Sequence, residues 1–166
     1  MKNRLLKTFT SLVLTILMVI SVMPAFAITI GAAGEPTYVK VGLEDIQSTD
    51  KIIIVSTHST NGSFAMSNDN GTSTAPKAVS VTVKNDTITT SATNILWNIS
   101  NEDGNLTIYP AGTTDTWLYC TNTNNGVRVS GKNDDKVFTL DENTGYLQHT
   151  ATSRYLGVYN KADWRC

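Results

Sequence analysis

The stretch Leu96-Trp-Asn-Ile-Ser-Asn-Glu-Asp-Gly-Asn-Leu-Thr-Ile-Tyr109 decides the fold class. Two short runs rich in β-branched and aromatic residues, 96–99 and 106–109, flank the pair Asp103-Gly104. Asp-Gly accepts the positive φ that a tight hairpin requires, so the stretch predicts two antiparallel strands. The same grammar continues on both sides. Strands are expected at 51–56, a continuous apolar run that reads as central, and at 78–83, where Val79, Val81 and Val83 share one face. Others are expected at 116–120, 127–129, 136–140, 145–148 and 154–159. Asn61-Gly62, Asn70-Gly71 and Asn125-Gly126 read as further tight turns. From Tyr38 onward no window sustains the i, i+3, i+4, i+7 apolar stripe of a helix, and only 42–47 tolerates one.

An internal repeat organises these strands. Trp97, Gly104, Trp117 and Val127 are followed by Phe138, Gly145, Tyr155 and Trp164 at offsets of 41, 41, 38 and 37 residues. A weaker copy precedes them in Ile52-Ile-Ile, Ser63-Phe-Ala-Met and Val79-Ser-Val. Three copies of four short strands describe an all-β fold, a β-trefoil-like barrel, with an irregular β-sandwich as the alternative. Trp97, Trp117 and Tyr155 hold equivalent places in the repeat and are expected in the core.

Composition fits that reading and adds a compartment. Residues 1–27 carry Lys2, Arg4 and Lys7, an apolar run centred on 12–20, Pro24 and the small-residue site Ala25-Phe-Ala27. This is the pattern of a cleaved signal peptide, and its apolar run is shorter than a membrane span needs. Residues 28–37, with Gly31, Gly34 and Pro36, read as a flexible leader, and 38–166 as one all-β domain. Residues 28–166 hold 10 basic against 14 acidic side chains, a formal charge of −4, with 22 Thr, 14 Asn, 11 Ser and only 7 Leu. So little Leu excludes a helical bundle, and the charge disfavours nucleic acid as a direct ligand. Asn fills turns and Thr covers strand faces. Cys120 and Cys166 share an oxidising compartment, and either a disulfide or two unpaired thiols fits. Cys166 ends the chain inside an apparent strand, so truncation at the C-terminus is expected.

Catalytic and metal signatures are weak. His58 and His149 lie beside loops, read as exposed polar residues, and neither pairs with a G-x-S-x-G elbow. Cys120, Cys166, His58 and His149 lack ligand spacing. The loop 67–72 resembles a calcium loop but puts Met66 and Lys77 where carboxylates belong. No cofactor and no metal is expected. N-x-[ST] sequons stand at Asn61, Asn70, Asn85, Asn98 and Asn105. The remaining candidates are aromatic and amide side chains of the C-terminal half. An aromatic face stacks on a sugar ring while Asn and Asp bond its hydroxyls. Trp164, Asp163 and Tyr159 lead this set, followed by Asn124 and Asn125.

The phrases Leu118-Tyr-Cys-Thr-Asn-Thr-Asn-Asn-Gly-Val-Arg128, Leu147-Gln-His-Thr-Ala-Thr-Ser-Arg-Tyr-Leu-Gly-Val-Tyr159 and Asp163-Trp-Arg-Cys166 resemble an accessory module of secreted multi-domain bacterial proteins. That module accompanies extracellular nucleases and surface adhesive domains. The resemblance spans about residues 38–166 and implies an accessory role with catalysis elsewhere. A weaker similarity, through the W…G…L repeat, is to ricin-type lectin trefoils, although their Q-x-W signature is missing. The expectation is a secreted, non-catalytic module, a monomer or part of a longer chain, that binds an extracellular glycan or cell-surface component. It contacts no nucleic acid directly, and no membrane after signal cleavage. The alternatives are a fragment of an extracellular hydrolase that lacks its catalytic domain, and a spacer without a ligand.

Overall fold

The computed structural model describes residues 34–121, 126–131 and 135–166, so the expected signal peptide and most of the expected leader lie outside the described residues. The chain is all-β there, its one helical element being a 3-10 turn at Leu43–Asp45. The strands in order are β1 (Thr37–Val39), β2 (Val55–His58), β3 (Gly62–Met66), β4 (Ala78–Val81) and β5 (Thr87–Thr89). Next come β6 (Trp97–Glu102), β7 (Asn105–Pro110), β8 (Trp117–Cys120), β9 (Val127–Ser130) and β10 (Val137–Asp141). β11 (Tyr146–His149), β12 (Arg154–Tyr155), β13 (Gly157–Tyr159) and β14 (Asp163–Arg165) complete the set. They assemble as β2-β3-β4, as β12-β11-β10-β7-β6, and as the pairs β1-β5, β8-β9 and β13-β14, every pairing antiparallel. Among the described residues no sheet closes into a barrel.

Turn chemistry explains the hairpins. Glu102 faces Asn105, and between them Asp103 (φ 53°) and Gly104 (φ 85°) both take positive φ, the two-residue hairpin turn. A second such turn, not anticipated for want of a glycine, joins Lys84 to Thr87 through Asn85 (φ 51°) and Asp86 (φ 57°). Asn and Asp tolerate this region because their short polar side chains can bond locally. Asn70-Gly71, by contrast, makes no hairpin. It sits in the connection between β3 and β4, where Asn70 Nδ2 donates to Ser67 Oγ (2.7 Å).

Two expected strands change shape. The run at 51–56 is not a central strand: β2 starts only at Val55 and lies at the edge of its sheet. Ile52 instead exchanges both main-chain hydrogen bonds with Trp97, N to O at 2.8 and 2.9 Å. The run thus passes from one sheet to another, and Ile52 and Ile54 pack half-buried against the core. The run at 154–159 divides at Leu156 because its halves pair differently, β12 with β11 and β13 with β14.

The core draws on every sheet except the β1-β5 pair. Met66, Trp97, Leu106, Leu118, Phe138 and Trp164 are its main members, each at most 2 % exposed. A side chain of this size contributes roughly 1.5–3 kcal/mol by leaving water. The tryptophans also need a partner for the indole N–H. Trp97 Nε1 donates to Met66 O at 3.0 Å. Within the core Cys120 and Cys166 form a disulfide, with Cα atoms 6.6 Å apart and a sequence separation of 46. Cys120 belongs to β8 and Cys166 directly follows β14, and a bridge between Gly126 and Arg165 runs alongside.

Candidate functional site

Two hairpin ends meet to form a cavity of about 440 Å³. The first is the end of β2–β3, where His58 faces Gly62 and the chain reverses with Gly62 at φ 89°. The second is the end of β13–β14, where Tyr159 faces Asp163 and Asn160 (φ 50°) and Lys161 (φ 58°) carry the turn. Ser56, His58 and Asn61 line the cavity from one hairpin, Asn160 and Lys161 from the other. Phe64 and Val158 supply its apolar wall.

The protonation of the imidazole follows from its contacts. His58 Nδ1 accepts from the Thr60 amide at 3.2 Å and lies 3.0 Å from the Thr60 hydroxyl. An acceptor nitrogen carries no proton, so in the neutral ring the hydrogen sits on Nε2. Lys161 enters no ion pair among the described residues, where Arg165–Asp163 is the ion pair observed. None of the seven lining residues is acidic. The cavity therefore offers hydrogen-bond donors and one cation beside an apolar surface.

Strand alternation sorts the expected ligand residues. Tyr159 and Asp163 stand opposite each other, and Val158 and Trp164 form the next pair, which points to the other face. Tyr159 is 48 % exposed, with the Arg165 guanidinium 3.9 Å from its ring centroid, a cation–π contact. Asp163 holds that guanidinium in place through two bonds, at 3.1 and 3.2 Å, and raises its already high pKa. Trp164 is a correction. It is 2 % exposed, its indole donates to Ala65 O at 3.3 Å, and a ring so placed packs the core and has no open face for a sugar. Asn124 and Asn125 lie outside the described residues.

One histidine and one tyrosine depart from expectation, while His58 is exposed as its sequence suggests. His149 is fully buried rather than exposed. Its Nε2–H donates to Asp135 O at 3.0 Å, which leaves Nδ1 to accept from the Thr152 hydroxyl at 2.7 Å, and Phe138 packs 5.4 Å away. Burial holds its pKa below the usual histidine range, against the opposing pull of Asp135. Tyr155 is exposed instead of core, and Leu156 takes the buried place. The Tyr155 hydroxyl donates to Asp141 Oδ2 at 2.8 Å, and its ring meets Tyr146 edge-on at 6.3 Å. This hydrogen bond is the main cause that lowers the Asp141 pKa and raises that of Tyr155.

The loop at 67–72 is closed by its own side chains. The buried Ser67 hydroxyl donates to Asp69 Oδ1 (2.7 Å) and accepts from Asn70 Nδ2 and from the Lys77 amide. Among the described residues no three His, Cys, Asp or Glu side chains converge to hold a metal ion. No protein-family model, curated protein or solved structure matches the chain. Sequence alone does not reveal the cavity, since His58 reads as an exposed polar residue and Asn61, Asn160 and Lys161 look like ordinary turn residues. Nothing local to either turn announces that the two meet.

Proposed function

We propose that the chain is a secreted, non-catalytic accessory module that binds carbohydrate at the cavity between the β2–β3 and β13–β14 turns. The observation that carries this reading is the lining itself. Side chains able to bond hydroxyls (Ser56, His58, Asn61, Asn160) surround an apolar surface of Phe64 and Val158, the mixture a sugar ring requires. Tyr159 and Asp163, on the same hairpin, lie on the face opposite Val158 and stand outside the cavity lining. His58 Nδ1 is engaged by Thr60 rather than by a carboxylate, which favours a binding role over that of a general base.

The finer fold within this proposal is a β-trefoil. Hairpins follow one another in three pairs: β2–β3 with the turn at 84–87, β6–β7 with β8–β9, and β10–β11 with β13–β14. Secretion rests on the signal-like residues 1–27, and the Cys120–Cys166 disulfide is compatible with it. The accessory role rests on the resemblance of 118–128, 147–159 and 163–166 to modules of secreted bacterial proteins. The partner is an extracellular glycan or cell-surface component. Glycan-array binding by the exported protein, compared with an Asn61→Ala/Asn160→Ala variant, tests the site. Binding that disappears in the variant, with circular dichroism unchanged, supports it. Absence of binding to every glycan by the folded protein sinks it.

A further inference from the structure

We infer that the cavity selects an acidic sugar residue, one whose ring carries a carboxylate, and that Lys161 and His58 receive that group. This inference rests on the carbohydrate reading above and narrows it. Residues 28–166 carry a formal charge of −4, yet the seven residues that line the cavity include one cation and no acid. The local sign opposes the global one.

Donors also outnumber acceptors there. The Lys161 ammonium has three N–H donors and no lone pair. His58 keeps Nδ1 on Thr60 and presents Nε2–H, and Asn61 and Asn160 each add an amide NH₂. The acceptors are the Ser56 hydroxyl and the two amide oxygens. A neutral sugar hydroxyl brings a donor with its acceptor, whereas a carboxylate brings two acceptor oxygens and no donor. Bonds from an ammonium to a carboxylate are roughly twice as strong as neutral ones. The nearest acidic side chain on the hairpin, Asp163, is already bound by Arg165 and leaves Lys161 to the ligand. Phe64 and Val158 then meet the C–H face of the ring.

Net negative charge limits what else binds. A dense polyanion would feel repulsion from the rest of the domain within a Debye length of about 8 Å. A single carboxylate on an otherwise neutral ring escapes most of that cost. The chemistry is shared by uronic acids and by nine-carbon sialic-type acids, and the experiment separates them.

The full chain, exported and folded, is titrated calorimetrically with trigalacturonic acid, 3′-sialyllactose, lactose and galactotriose. One of the two acidic ligands is expected to bind about tenfold tighter than its neutral counterpart, the effect of one charge-assisted contact. Lys161→Met keeps the stem and removes the charge. It is expected to bring acidic and neutral affinities within about twofold of each other while Lys161→Arg retains the preference. Neutral sugars that bind as tightly as acidic ones overturn the inference and leave the carbohydrate reading intact. So does an acid preference that survives in Lys161→Met. Absence of binding by all four ligands and by every array glycan overturns both.

Discussion

The indole Nε1–H of Trp164 donates to the main-chain oxygen of Ala65 at 3.3 Å, across 99 residues of sequence. The next carbonyl along β3, that of Met66, accepts from Trp97. Two tryptophans from different parts of the repeat thus anchor on consecutive residues of a third part. The contact explains why β14 packs where it does, with Trp164 N bonded to Pro76 O and Ala162 O accepting from Ala78 N.

Trp164→Ala should therefore destabilise the fold by about 3–5 kcal/mol through loss of buried volume. Trp164→Phe should cost less, about 1–3 kcal/mol, for the lost indole hydrogen bond and the smaller ring. Urea denaturation followed by circular dichroism measures both. A loss under about 1 kcal/mol for the alanine variant would show that the indole is not a core anchor.

Removing the disulfide frees the denatured chain. Cys120 and Cys166 are 46 residues apart, so the Cys120→Ser/Cys166→Ser variant should lose about 2–5 kcal/mol. Part of this cost comes from hydroxyls placed in a buried site, so reduction of the unaltered protein is the companion measurement. Equal stability of oxidised and reduced protein contradicts the expectation.

Acid should weaken the fold through His149. Its folded-state pKa lies below the ordinary value of 6.5, chiefly because burial disfavours the charged ring, with Arg154 acting the same way and Asp135 opposing. A depressed histidine pKa means that the unfolded chain binds the proton first as pH falls. The stabilisation is thus complete above about pH 6.5 and is lost as pH drops from there toward the folded value. Denaturation midpoints measured from pH 7.5 to 4.5 should fall more steeply for the natural protein than for His149→Gln. Parallel slopes would remove His149 as the cause.

Tyr155→Phe isolates the Asp141 contact. Without the phenolic hydroxyl, the Asp141 carboxyl should titrate at higher pH, since that hydrogen bond is the largest cause of its lowered value. Carbon-13 NMR of the carboxyl carbon across an acid titration reads this directly. An unmoved Asp141 midpoint means that the turn amides of Asn143 and Thr144, which also bond it, dominate instead.

The hairpins were the most legible part of the fold, because a turn such as Asp103-Gly104 writes its backbone conformation into two adjacent residues. The Ile52-Ile-Ile run misled for the opposite reason. Apolar continuity reports burial but not which sheet is joined, and Ile52 pairs with Trp97 from a distant strand. Tyr155 and Leu156 show the limit of repeat alignment, since a one-residue shift sends a side chain to the opposite face. Tyr159 and Asp163 could be named from their aromatic and acidic chemistry, yet they stand on the hairpin beside the cavity and not in its lining. The partnership of His58 and Asn61 with Asn160 and Lys161 could not, because it exists only once residues about 100 positions apart are folded together.

The placement of β14 also sets a schedule. Along the edge not taken by β13, this strand bridges to Lys77 at one end and Gly126 at the other, and it carries Trp164 into the core. No chain of this sequence can finish its core before residue 163 has been synthesised and has travelled back to β3. Contacts that distant make for slow folding. Until that strand arrives, the apolar side chains it will cover, Met66 and Ala65 among them, stay open to water and to other chains.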